Sequence, residues 1–279
     1  MDAKFHPAIA AMRSGDLEGL RSMLRADPTL ATARSSASHP TLLACLTLEC
    51  IDTPNKLEMA RALIDAGSDI DVPLGAAASV NHVEMAALLI DAGAAVDGTG
   101  GWSPLEEALY WSHRATVDLL VERGATVRNL RTAAGLGRTD RIESFFDGDG
   151  NLKPEAGKID WPFSRDPAIT SQWSHDRQSI IDNAFVYACA NDRFAAAEFL
   201  LQKGAAIDAI PPGFDYAGTA LHNAALHGHR AMVEFLVARG ANVRIRDLKV
   251  GSTPAGWAAY AGHEEIKNYL EQAAGEGLS

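Results

Sequence analysis

Apolar residues recur along this chain at helical spacing, and each run ends in the same way. Met59, Leu63 and Ile64; Met85, Leu88 and Leu89; Val117, Leu119 and Leu120; Phe199, Leu200 and Leu201; and Val233, Leu236 and Val237 each place large side chains on one helix face. The runs close with Gly-Ala pairs at Gly93, Gly124, Gly204 and Gly240, or with Gly67-Ser68. A residue just past a helix often turns left-handed, which costs glycine least, so the pairs read as helix stops. The stretch 219–247 holds one whole unit: a short helix over 219–227, a turn at Gly228-His229, a second helix over 230–239, and a stop at Gly240-Ala241.

The openings of the units repeat as well. Thr219-Ala220-Leu221-His222, Ser103-Pro104-Leu105-Glu106 and Thr253-Pro254-Ala255-Gly256 each put a hydroxyl where a helix N-terminus needs a cap, and a first-turn Pro leaves no helix donor unused. Gly228-His229 and Gly262-His263 mark the inner turns. In phase over nearly the whole chain, these motifs resemble the ankyrin repeat, a unit of about 33 residues with a β-turn and two helices. The resemblance implies an all-α ankyrin-repeat solenoid of about eight helix-turn-helix units, with short β-turn hairpins and one long insertion. It implies a single domain over 1–279: an N-terminal cap repeat over 1–34, repeats 2–5 over 40–146, an insertion over 147–177, and repeats 6–8 over 178–274. The first unit has Asp27-Pro28 where the Gly-Ala stop would stand, and the last helix mixes Lys267, Glu271 and Gln272 among its apolar residues, as a terminal repeat requires.

Composition narrows the partners. With 279 residues, 47% hydrophobic and 22% charged, the chain has ample material for a core. A net charge of −11 argues against nucleic acid, whose binding rests on Lys and Arg neutralising phosphates. Three cysteines, Cys45, Cys50 and Cys189, lack metal-ligand spacing and suggest reduced thiols, no bridge and a cytoplasmic location. No secretion signal is predicted, and no run reaches the roughly 18 apolar residues of a membrane helix.

Nine histidines invite a metal or catalytic reading. His82, His113, His229 and His263 align at the inner turn, however, and His222 belongs to the opening motif, so these are expected to be structural. Asp147-Gly148-Asp149-Gly150-Asn151 starts like a calcium loop but continues with Leu152 and Lys158 where glycine and a bidentate Glu are required. No phosphate loop, dinucleotide motif or hydrolase motif occurs. No cofactor and no metal site are predicted.

The resemblance implies a concave groove lined by three positions of each short helix. In the C-terminal two thirds these columns read Glu107, Tyr110 and Trp111; Thr132, Gly135 and Leu136; Tyr187, Ala190 and Asn191; Asn223, Leu226 and His227; and Trp257, Tyr260 and Ala261. Large aromatics with a few polar groups suit a recognition surface, although Trp111, Tyr187 and Trp257 would serve equally to pack one repeat on the next. Trp161 and Trp173, in the insertion, are expected to fold back over this groove. Two functions follow. The first is an interaction module for a protein partner with a neutral or basic surface, bound through the concave face and hairpin tips. The alternative is a small-molecule site or an enzyme using Glu107, tyrosines and His227 beneath the insertion, without any transferable catalytic motif.

Overall fold

The computed structural model describes residues 2–35, 40–50, 52–158 and 176–276. Among them lie seventeen α-helices and two 3-10 turns, with an isolated antiparallel bridge between Phe146 and Leu152 as the sole extended pairing. The chain divides into two compact units, 1–126 and 127–279.

The first unit holds four helix pairs: α1 (His6–Ser14) with α2 (Leu17–Ala26), α4 (Leu42–Glu49) with α5 (Lys56–Asp65), α6 (Asp71–Ser79) with α7 (Val83–Asp91), and α8 (Pro104–Tyr110) with α9 (Arg114–Glu122). The first members of the pairs pack in succession, and so do the second members. A short α3 (Thr29–Thr32) follows the first pair, where Asp27 accepts hydrogen bonds from the Thr29 amide and hydroxyl. That carboxylate starts a new turn at the place where the other units stop on glycine.

The second unit holds α10 (Leu130–Leu136) with α11 (Thr139–Ser144), α12 (Arg177–Ala190) with α13 (Phe194–Gln202), α14 (Ala220–Leu226) with α15 (Arg230–Ala238), and α16 (Pro254–Tyr260) with α17 (Glu264–Glu276). Here α10, α12, α14 and α16 pack in succession. One core runs through the unit, from Leu130 and Phe185 to Leu221, Leu236, Ile266 and Leu270.

The caps explain where the short helices start. Thr41, Ser103, Asn129, Thr219 and Thr253 each accept the amide of the residue three positions on. Ser103–Glu106, Asn129–Thr132 and Thr219–His222 complete reciprocal boxes. The four Gly-Ala stops have φ between 87° and 100° at Gly93, Gly124, Gly204 and Gly240. At the inner turns the left-handed residue is Gly15, Gly137, Gly228 or Gly262, but equally Asn81, Ser112 or Asp192. Glycine therefore marks only some of these turns, because short polar residues also tolerate αL. Gly228 has a further constraint: a β-carbon there would fall 2.7 Å from the His263 ring.

The start of the insertion folds back on the fifth repeat. Asp147 accepts the amides of Asp149 and Asn151, Lys153 donates to the Ser144 carbonyl, Ala156 is buried, and Arg131 donates to the Lys158 carbonyl. The Asp147 carboxylate is thus engaged in closing a turn. Trp161 and Trp173 lie outside the described residues.

Candidate functional site

In the second unit, the chain between the Gly240-Ala241 stop and the Thr253 cap turns around one carboxylate. Asp247 Oδ1 accepts the amides of Lys249 (2.9 Å) and Val250 (2.7 Å), and Oδ2 accepts the Ser252 amide (2.8 Å) and the Trp257 indole N–H (3.0 Å). Burial opposes the charge, but these donors, led by the Val250 amide and the indole, outweigh it and hold the carboxyl at about 2. The turn is further fixed by Asp247 N–H to the Ser252 carbonyl and Leu248 N–H to the Ala217 carbonyl.

With the backbone so pinned, Leu248 and Val250 stand in solvent, 75% and 74% exposed. Tyr216 is exposed on the adjoining loop, and Lys249 lies 4.8 Å over its ring while pairing with Asp215 at 2.8 Å. Arg246 is turned onto the Gly251 carbonyl. The cations of the loop are thereby satisfied locally, which leaves an apolar tip. Behind it, buried Trp257 stacks edge-on to Tyr216 (5.9 Å) and His222 (4.9 Å).

The first unit contains a different cluster. Buried Glu107 accepts the indole N–H of Trp102 at 2.8 Å on one oxygen and that of Trp111 at 2.8 Å on the other. Burial raises its pKa, and the two indoles pull against that rise. Tyr110 is edge-on to Trp111 at 4.9 Å and to Trp102 at 6.4 Å. Trp102 has no place in the groove columns; it joins the cluster because it immediately precedes the Ser103 cap, where its ring reaches the first turn of α8.

The columns fall into two kinds. Glu107, Tyr187, Asn223 and Trp257 occupy the first, and all are buried. Tyr187 packs on Phe214 at 5.2 Å, Asn223 donates to the Thr219 carbonyl, and Trp257 supports the tip. An outward-pointing first column is therefore corrected: these side chains lie between neighbouring elements of their own unit. In the other two columns, Tyr110 and Asn191 are also buried, with Asn191 donating to the Tyr187 carbonyl. Trp111 and His227 are half-buried, and Tyr260 is 85% exposed. Leu248, Val250 and Tyr216 were not singled out by the repeat pattern. The available signal was two large apolar residues in a stretch where turn residues are expected.

Three of the four turn histidines link repeats, while His82 accepts the Met85 amide within its own repeat. His113 donates Nε2–H to the Ser79 carbonyl (3.0 Å), His229 to Ala190 (2.8 Å) and His263 to Leu226 (3.1 Å), always near the end of the preceding short helix. Arg193 makes the same link to Gly135 (3.0 Å) and Asn55 a similar one to Gly15 (3.2 Å). His222 accepts the Thr219 amide on Nδ1 and donates Nε2–H to the Ser252 carbonyl. That arrangement holds the ring neutral, in line with its pKa, which burial lowers.

A recess of about 270 Å³ lies on the last repeat, lined by residues including Val243, Ala255, Lys267 and Leu270, and none of the groove candidates lines it. Among the described residues no group of three or more His, Cys, Asp or Glu is placed to hold a metal, and no helix is long and apolar enough to cross a membrane.

Capped helix pairs, left-handed turns and side chains that tie pairs together within each unit define an all-α repeat protein. The family model described as Ankyrin repeats (3 copies) matches residues 46–130 and 171–247, more than half of the chain, and the chain belongs to the ankyrin repeat family. A search of curated proteins found no match. Among solved structures, the chain is similar to one titled "Crystal structure of human ASB11 ankyrin repeat domain", at 17% identity over 96% of this chain and 97% of that chain, with a TM-score of 0.42. Ankyrin repeats generally mediate protein–protein interaction.

Proposed function

We propose that this protein is an interaction module that binds a protein partner through the tip formed by Tyr216, Leu248 and Val250, extended along the short helices by Tyr260 and His227. The observation that carries this reading is the exposure of Leu248 and Val250 on a turn held by four hydrogen bonds to Asp247. An apolar side chain on a mobile loop loses conformational entropy when it is bound; one on a pinned turn has already lost most of it. Large apolar side chains that are both exposed and preorganised are typical of the anchors that dominate interface energies.

The partner's docking patch is apolar, because the tip's cations are already paired, and its wider surface is neutral or basic, because this chain carries −11. Trp257 and Asp247 act as positioning residues beneath the tip. In the first unit, half-buried Trp102 and Trp111, backed by buried Glu107 and Tyr110, are proposed as a second, aromatic contact.

The test is affinity capture of the intact chain from cells, compared between wild type and the Leu248→Asp/Val250→Asp double variant. Both positions are solvent-exposed, so the double variant is expected to fold normally and to lose specific partners at least tenfold in recovery. Equal recovery of the same partners by both proteins sinks the assignment of the tip.

A further inference from the structure

Four matching positions change character between the last two repeats. Leu221, His222, Val233 and Val237 of α14 and α15 correspond to Ala255, Gly256, Lys267 and Glu271 of α16 and α17. Leu221 and Val233 are buried in the core of the second unit, and the His222 ring reaches forward to the Ser252 carbonyl. Ala255 and Gly256 put nothing of that size in the same place, and the recess of about 270 Å³ on the last repeat is the space they leave.

The recess has an apolar lining and two unmatched charges. Val243, Ala255, Ala259 and Leu270 supply the apolar part. Arg244 donates to the Ala274 carbonyl, and among the described residues its guanidinium meets no carboxylate. Glu271 likewise has no ion pair or hydrogen bond among them. The remaining cation of the lining is already engaged: Lys267 Nζ donates to Glu264 at 3.2 Å, and that carboxylate first, then the field of Glu271, raises its pKa.

These features select a ligand by exclusion as well as by attraction. A simple anion drawn to Arg244 meets Glu271, and a simple cation drawn to Glu271 meets Arg244. A molecule that carries both charges next to an apolar body satisfies all three parts of the lining. The volume lies at the small end for ligand sites, which run to about 300–1,000 Å³, so it suits one amino acid better than a peptide.

We propose that this recess binds a free α-amino acid with an aliphatic side chain, its carboxylate on Arg244, its ammonium on Glu271 and its side chain on Val243, Ala259 and Leu270. A polar side chain is disfavoured, because the apolar lining offers it no partner. Arg244 and Glu271 are both exposed, so their pairs with the ligand are screened, and the dissociation constant is on the order of 1 mM. The recess shares no residue with the tip of Tyr216, Leu248 and Val250, and loss of binding at either place leaves the other intact.

The test is saturation-transfer difference NMR on the full chain with L-leucine as the probe. Three analogues, each lacking one group, are titrated beside it: isocaproate without the ammonium, isopentylamine without the carboxylate, and glycine without the side chain. Leucine binding is expected to saturate, and each analogue to bind at least about fivefold more weakly. Arg244→Met and Glu271→Gln alter exposed side chains and should each weaken leucine by about the same factor. Glu271→Gln should leave isocaproate binding no weaker than in the wild type, since that acid has no ammonium to lose; a variant that had merely unfolded would lose both ligands. Ala259→Phe, at an exposed position of α16, should fill the recess and abolish saturation. The proposal is overturned by a wild type that shows no saturable leucine binding, by equal affinity for leucine and isocaproate, or by unchanged leucine binding in both charge variants.

Discussion

Glu107 and Asp247 are both buried carboxylates that accept indole N–H groups, yet their protonation is driven in opposite directions. Glu107 has two donors and a large desolvation, so its pKa rises; Asp247 has four donors, three of them backbone amides, so its pKa falls to about 2. Glu107→Gln turns an amide N–H₂ toward one of the indole donors. It is expected to cost about 1–3 kcal/mol at neutral pH, the usual result of stranding a buried donor. Because the folded pKa is raised, the wild type gains stability from this group as pH falls while the non-titrating Gln does not, so the cost should grow toward pH 4; urea unfolding at the two pH values checks this, and a cost that shrinks or stays flat would contradict it. For Asp247 the folded pKa lies below the ordinary value of 3.8. Its contribution is therefore complete above about pH 4 and is lost as pH falls through about 2. Asp247→Ala should abolish that acid dependence and weaken partner binding with Leu248 and Val250 intact. Unchanged binding in this variant would show that the tip needs no pinning.

Helices are the scale at which the sequence was most readable, and the reasons are local. Cap, first-turn proline, apolar stripe and left-handed stop all act within one unit, and the 219–247 stretch shows them together: Thr219 caps Ala220–Leu226, and Gly240 with φ of 87° follows Arg230–Ala238. Leu236 on α15 is fully buried in the second unit's core. Leu236→Ala is expected to cost about 2–5 kcal/mol and to weaken the neighbouring repeats with it; a loss below about 0.5 kcal/mol in equilibrium unfolding would contradict the packing. The site was less readable. Column alignment identifies which residues vary between units, but exposure depends on the loops beside them. Trp257 looks like a groove aromatic until the 247–252 turn is seen to close on its indole. Tyr187 looks solvent-facing until Phe214, twenty-seven positions on, is found against its ring. Leu248 and Val250 follow no helical period, so only the folded turn gives them meaning.

Across the whole molecule, the recurring chemistry is the neutral imidazole. His82, His113, His222 and His229 all have pKa values lowered from 6.5 by burial, in both units. The unfolded chain binds these protons near pH 6.5 and the folded chain resists them, so stability is complete above that pH and declines as pH falls through and below it. The urea midpoint should therefore drop between pH 7.5 and pH 5.5, and a flat profile would show that these rings carry no linked protons. Caps, links and stops recur among the described repeats, while the pinned apolar tip lies on the 247–252 turn. Its role is tested most directly by a photo-crosslinking amino acid placed at position 248 in cells, with the same probe at the exposed Val121 on α9 as the reference. Binding through the tip predicts a discrete protein adduct from position 248 that is absent from position 121. The same diffuse pattern from both positions would contradict it.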